Sequence, residues 1–193
     1  MNDAGVRPQT TPGGVLLARH GQTDDNLEPL RFQGFTDTPL NDTGRRQAAE
    51  LAERITDRGI VSLWSSDLQR ARETAEIVGA SIGLSPRLDA RLREANRGRW
   101  EGHLFTEIER DEPEAYAAWM RAGAAFRFPG GESLRDQQER VSAAVRHISA
   151  SGQLPALVVC HGGSIRVMLC LHDPRGLDAF HDFKIRNTAV VPL

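Results

Sequence analysis

The chain has 193 residues, 39% of them hydrophobic and 26% charged, which is enough for one well-buried core and short for two. Its formal net charge of -2 lacks the basic excess that a nucleic-acid or anionic-membrane binder needs, and no apolar run reaches membrane-spanning length. The cysteines, Cys160 and Cys170, have no metal-ligand spacing and read as buried thiols in a reducing compartment.

Residues 1–14, MNDAGVRPQTTPGG, lack the apolar core and cleavage site of a signal peptide and read as a flexible tail. The expected location is therefore the cytoplasm, with one domain over 15–193. VLLA, residues 15–18, is the first predicted strand, and it runs straight into Arg19, His20 and Gly21. After a Gly/Pro/Asn/Asp-rich loop, Ala48, Leu51, Ala52 and Ile55 recur at helical spacing, with Asn41 as N-cap and Gly59 as stop. IVSLW, residues 60–64, is the second strand. Ser66 and Gln69 fit a capping box for the next helix, whose apolar face is Leu68, Ala71, Ala75, Val78 and Ile82. Arg70 then falls in the first turn of a helix that follows a strand, where backbone N–H groups favour an anion.

A short strand is expected around Arg87 and Leu88. The segment 103–130 mixes aromatics, charges and a proline and reads as an inserted helical excursion, with Trp100 before it and Trp119 within it read as packing residues. A helix from about Glu132 to Ala150 returns to the core through Leu134, Val141, Val145 and Ile148. ALVVCHGGS then repeats the opening pattern of apolar strand, histidine and glycine, and NTAVVPL closes the chain as a last strand. Strand-length apolar runs that alternate with helical patterns predict an α/β fold: a three-layer α/β/α domain with a mainly parallel sheet and the helical insertion over its site.

Open α/β sheets place ligand sites at the carboxyl ends of their strands. Two histidines, His20 and His161, follow apolar strands, and two arginines, Arg19 and Arg70, stand where anions bind well. Each has a structural alternative. A strand end needs a turn, and Arg70 can pair with Glu73 or Glu76 on a solvated helix face.

The segments ARHGQTDDN, QGFTDTPLNDTGRRQA, SSDLQRARETAE, LREANRGRWEG, GGESLRDQQERV and VVCHGGSIR together resemble the histidine phosphatase superfamily, in its phosphoglycerate-mutase-like branch. The resemblance implies a phosphoryl pocket of Arg19, His20, Arg70 and His161, with His20 as nucleophile and Glu94 as proton donor. Asn26, Gln33 and Gly162 match positions that line the same pocket. The chain departs from the pattern in NLEPLRFQG, one residue longer than usual, which puts Gln33 in doubt. It departs also at Arg97, where an apolar residue is usual; that side chain enters the pocket or faces solvent.

Such a set suits phosphoryl transfer, in which a nucleophile stands at one apex and cations surround the equatorial oxygens. A neutral His20 attacks, Arg19, Arg70 and a protonated His161 hold the charge, and Glu94, raised toward the working pH by burial and phosphate, protonates the leaving alkoxide. No metal or other cofactor is required. Gln22 stands where mutases carry glutamate, and the chain has only a modest excursion and ends at Leu193, which favours a phosphatase over a cofactor-dependent phosphoglycerate mutase. A non-catalytic phosphate or phosphoprotein-binding module on the same fold is the alternative of another class. The expected partners are a small phosphorylated metabolite and inorganic phosphate, with no nucleic acid and no membrane, and a homodimer is left open.

Overall fold

Val15–Arg19 forms β1, the strand on which the molecule is built. It pairs in parallel with β4, Ala156–Cys160, in a register that sets Val15 opposite Ala156 and Arg19 opposite Cys160. Both strands are buried on both faces, which is why each reads as a continuous apolar run rather than an alternation. The computed structural model describes residues 14–121, 123 and 126–193, so the expected tail lies, Gly14 apart, outside the described residues.

In chain order, β1 is followed by α1 (Asp42–Ile55), β2 (Ser62–Ser65), α2 (Gln69–Ile82), β3 (Arg87–Leu88), α3 (Phe105–Asp111) and α4 (Pro113–Arg121). Then come α5 (Leu134–Ala150), β4, α6 (Gly162–Leu169) and β5 (Val190–Pro192). The five-stranded sheet has the order β3-β2-β4-β1-β5. Its pairings are parallel except for β5, which runs antiparallel to β1.

Side chains of a strand alternate between faces, and here the two faces make two cores. Leu16 and Ala18 pack with Leu157, Val159 and Leu63 against α1 and α2. Val15 and Leu17 pack with Val158 and Cys160 against α5 and α6. The result is the expected three-layer α/β/α arrangement. The excursion adds α3 and α4, which join the second core through Ile108 and Trp119 in an aromatic cluster with Phe32, Trp100 and Phe128. Among the described residues no helix is long and apolar enough to cross a membrane.

Asn41 caps α1, its side chain accepting from the Gly44 N–H at 2.8 Å. At α2 the expected capping box does not form. Leu68 is the N-cap, the Gln69 N–H is held by Asp37 Oδ1 at 2.5 Å, and the Ser66 hydroxyl sits 2.9 Å from a ring nitrogen of His161. Ser66 Oγ thus bridges the His161 ring and the Leu68 N–H, 3.3 Å away, without capping the first turn of α2.

The chain after β1 touches α1 backbone to backbone. A Cβ on Gly21 would lie 2.4 Å from the Gly44 carbonyl oxygen, and one on Gly44 would lie 2.1 Å from that of Gln22. Gly44→Ala should therefore destabilise the protein by roughly 1–3 kcal/mol, the usual range for overpacking, even though alanine in a helix is favoured over glycine by about 1 kcal/mol. Urea unfolding of the variant checks this, and a stabilised protein would mean that α1 does not abut the loop.

Candidate active site

Because β1 and β4 are parallel neighbours, the residues after them leave the sheet side by side. The His20 N–H donates to the Cys160 carbonyl at 3.0 Å, and the imidazoles of His20 and His161 lie with ring centroids 5.2 Å apart, both buried. His20 Nδ1 is 2.7 Å from the Gly21 carbonyl oxygen. A carbonyl can only accept, so Nδ1 carries the proton and Nε2 keeps a free lone pair. His161 has Nε2 on Ser66 Oγ, while its Nδ1 has no partner.

Burial, followed by the charges of Arg70, His161 and Arg19, pushes His20 well below the usual histidine range. Burial and the charges of Arg70, Arg140, Arg19 and Arg97 do the same to His161. The expected protonated His161 is thereby corrected for the free pocket, where both rings are neutral. Desolvation beside several cations leaves no place for another positive charge until an anion arrives.

Arg19 ends β1 and donates from Nη1 to the Ile185 carbonyl at 2.7 Å. Arg70, in the first turn of α2 and fully buried, donates to the carbonyls of Thr36 and Gly34, each at 2.8 Å. Burial lowers both guanidiniums to about 10, so they remain cations near neutrality. The Nε donors of both are buried without a partner. Thr74, not singled out in the sequence, accepts from the Gly21 N–H at 3.0 Å and donates to the Arg70 carbonyl at 2.7 Å, tying the turn after β1 to the helix of Arg70.

Glu94 approaches from the other side, in the chain between β3 and α3. Its Oε1 accepts from the Ala95 N–H at 2.9 Å and from Gln137 Nε2 at 2.8 Å, and Oε2 accepts from the Gly163 N–H at 2.9 Å. Burial raises this carboxyl, but Arg97, whose Nη2 is 4.0 Å from Oε2, and the hydrogen bonds together outweigh it and hold Glu94 at about 2. The expected rise of Glu94 rests on burial and phosphate together; in the free pocket burial alone is outweighed, and Glu94 is a carboxylate there. Gly163 admits it only for want of a side chain, since a Cβ would lie 2.0 Å from Oε1. Arg140 fixes the backbone around it, donating to the carbonyls of Arg91, Arg93 and Glu94 while paired with Glu132. Gln137 and Arg140 were not legible as site residues, although Gln137 is a fully buried amide on the apolar face of α5.

A cavity of about 250 Å³ opens here, lined by Arg19, His20, Asn26, Gln33, Glu94, Arg97, Gly162 and Arg166, with Phe105 and Trp119 of the excursion also in its wall. Arg70 and His161 are not among the residues of that lining, and the His161 ring lies with its centroid 5.2 Å from that of His20. Gln33 reaches the cavity despite the extra residue before it and donates to Thr23 Oγ1. Asn26 Oδ1 accepts from Asn187 Nδ2 at 3.3 Å, and that amide also donates to the His20 carbonyl at 3.0 Å. Arg97 enters the pocket, and Trp119 both packs and lines it. Among the described residues no three His, Cys, Asp or Glu side chains are grouped as metal ligands.

Residues 15–193 match the family model described as histidine phosphatase superfamily (branch 1). The chain is 39% identical over 163 residues to a glucosyl-3-phosphoglycerate phosphatase of Mycobacterium tuberculosis, covering 80% of this chain and 72% of that one. It is 38% identical over 180 residues to a phosphoglycerate mutase-like protein 4 of Arabidopsis thaliana, covering 91% and 76%. Among solved structures, a mycobacterial glucosyl-3-phosphoglycerate phosphatase complexed with VO3 superposes with a TM-score of 0.81 at 35% identity, covering 91% of this chain and 90% of that one. With neutral imidazoles and unpartnered guanidinium donors gathered at the strand ends, the chain belongs to the histidine phosphatase superfamily and is a hydrolase of phosphomonoesters.

Proposed function

We propose that the chain hydrolyses a small phosphorylated metabolite through a phosphohistidine on His20, with Glu94 as general acid and base and with no metal. The observation that carries this is the orientation of His20: Nδ1 is held by the Gly21 carbonyl, so Nε2 presents its lone pair amid unpartnered cationic donors. Buried donors without acceptors are rare in native proteins. Arg19 Nε, Arg70 Nε and His161 Nδ1 together match the equatorial oxygens of a phosphoryl group in transfer.

In the first step Nε2 of His20 attacks phosphorus, the ester P–O bond breaks, and the leaving oxygen takes a proton from Glu94. In the second, water gives its proton to Glu94, its oxygen attacks phosphorus, and the P–N bond breaks to return neutral His20 and inorganic phosphate. Asn26, Gln33 and Gly162 bound the substrate space. The cysteines are free and buried, which supports a reducing compartment such as the cytoplasm.

The proton for the leaving group sets a pH dependence. In the free pocket Glu94, held at about 2, is ionised near neutrality, and His20, pushed well below its usual range, is neutral. The substrate must then bring the proton, as a phosphomonoester monoanion whose second ionisation lies at about 6. For alkyl phosphates kcat/KM should fall as pH rises through that value, and the acid limb due to His20 protonation should lie well below 6.5, the ordinary histidine value. A pH–rate profile in which kcat/KM climbs through neutrality would contradict this proton inventory.

His20→Ala should abolish both turnover and an acid-labile phosphoenzyme. Glu94→Gln keeps the shape but lacks the proton, and should slow esters with alkoxide leaving groups by roughly 10²–10⁴-fold while slowing aryl phosphates less. Rapid quench with labelled aryl phosphate should then find label on His20 in the Glu94→Gln protein. Label on Glu94, or full turnover by His20→Ala, would reassign the nucleophile.

Chelation provides a separate check. With arginines and histidines supplying the positive charge, EDTA should leave p-nitrophenyl phosphate hydrolysis largely unchanged. Restoration of a chelated, inactive enzyme by a divalent cation alone would show a metal-dependent reaction. Phosphoglycerate mutase activity measured in parallel distinguishes hydrolysis from transfer.

A further inference from the structure

The phosphoryl site as assigned does not use Arg97. This guanidinium lines the same cavity, and its Nε and Nη1 are buried with no partner. Its Nη2 is 4.0 Å from Glu94 Oε2, an ion pair without a hydrogen bond. The rings of Phe128, Phe32 and Trp119 surround it, with the guanidinium carbon 5.0, 5.4 and 6.0 Å from their centroids. Aromatic faces stabilise the cation but leave its in-plane donors unsatisfied.

Position decides what Arg97 can hold. It lies beside the carboxylate that faces the leaving group, whereas the guanidiniums acting on His20 are Arg70 and Arg19. A group taken by Arg97 is therefore attached to the alcohol half of the ester, not to the phosphoryl group. We propose that Arg97 is a specificity-determining residue that binds a carboxylate carried by the leaving-group half of the substrate. This deepens the phosphatase reading above and rests on it.

Charge and space favour a carboxylate over a second phosphate. The Glu94 carboxylate 4.0 Å from Arg97 already opposes part of its charge and repels a dianion more than a monoanion. A planar carboxylate also suits a planar guanidinium enclosed by rings. Its arrival has a chemical consequence: a bound carboxylate offsets the Arg97 charge that holds Glu94 ionised, so the acid gains its proton when the right substrate is present. Discrimination should then show in kcat as well as in KM.

The test compares 3-phosphoglycerate with glycerol 3-phosphate, which differ at the carboxylate, and propyl phosphate with 1,3-propanediol bisphosphate, which differ by a second phosphate. The wild-type protein should prefer 3-phosphoglycerate by about 10–100-fold in kcat/KM, the range for a charged hydrogen bond, with part of it in kcat. Arg97→Met should bring that ratio close to one, and Arg97→Lys should restore part of it. Vanadate-induced thermal stabilisation of each variant shows that the fold and phosphoryl site persist.

Four results would overturn the proposal: no preference in the wild-type protein, a preference that survives Arg97→Met, equal losses for both members of the pair, or a larger preference for the bisphosphate. The third would place Arg97 on the transferring phosphoryl group. Failure of the phosphatase reading itself looks different, because the wild-type protein would then release no phosphate from any ester, aryl phosphate included, and form no phosphohistidine.

Discussion

The parallel pairing of β1 with β4 is the constraint on which the site depends. With Arg19 opposite Cys160, the next residue of each strand is a histidine, and the His20 N–H extends the ladder by one bond to the Cys160 carbonyl at 3.0 Å. Two imidazoles are thereby delivered to one spot with a spacing set by the sheet itself. A one-residue slip would send every side chain of β1 to the opposite face, moving Leu16 and Ala18 out of one core and Val15 and Leu17 out of the other. The packing that holds the register is therefore the packing that holds the histidines, and no loop has to be ordered to bring them together.

Around that pair the protein carries electrostatic tension that ordinary cores avoid. Arg19 and Arg70 each bury an unpartnered Nε, His161 Nδ1 is unpartnered, and Arg97 adds two more free donors. Each such group costs stability in an empty pocket. Glu94 is the local counter-charge, yet its oxygens are already occupied by the N–H groups of Ala95 and Gly163 and by Gln137. It lowers the total charge without satisfying the arginines, so the donors stay available to an anion. Arg140 supports this arrangement from α5 by donating to three carbonyls, those of Arg91, Arg93 and Glu94, which fixes the backbone that carries the carboxylate.

Much of this was legible in the sequence, because the main signals are local. An apolar run ending in Arg-His-Gly, a second ending in His-Gly-Gly and an arginine in the first turn of a helix each declare themselves within a few residues. Ser66 was misread for the same reason: a serine before a helix looks like a cap, and its partner His161 is 95 residues away. The hydrogen bonds that keep Glu94 ionised in the free pocket are not legible, because its donors Gln137 and Gly163 are 43 and 69 residues distant and belong to different elements. Gly21 and Gly44 each look like turn or helix residues, and only the folded chain shows that they touch. Burial was foreseen for the carboxylate; the hydrogen bonds that reverse its effect were not.

Positive charge is the cause that His161 and Glu94 share for lacking a proton in the free pocket, and an anion weakens that charge at both. Burial and neighbouring cations hold His161 neutral, and Arg97 with three donors holds Glu94 ionised. A phosphoryl group placed among Arg19, Arg70 and His161 cancels part of the positive field felt at every one of these positions, so proton affinity rises together at His161 and Glu94. Anion binding and proton uptake are then a single linked event, and by linkage the proton strengthens the anion in the same measure. On the proposed reading of Glu94 as general acid, the acid needed to expel an alkoxide is made only when the ester is in place, and it disappears when the phosphate leaves. With Glu94 ionised and His161 neutral, an empty pocket of this kind holds neither group in its acid form.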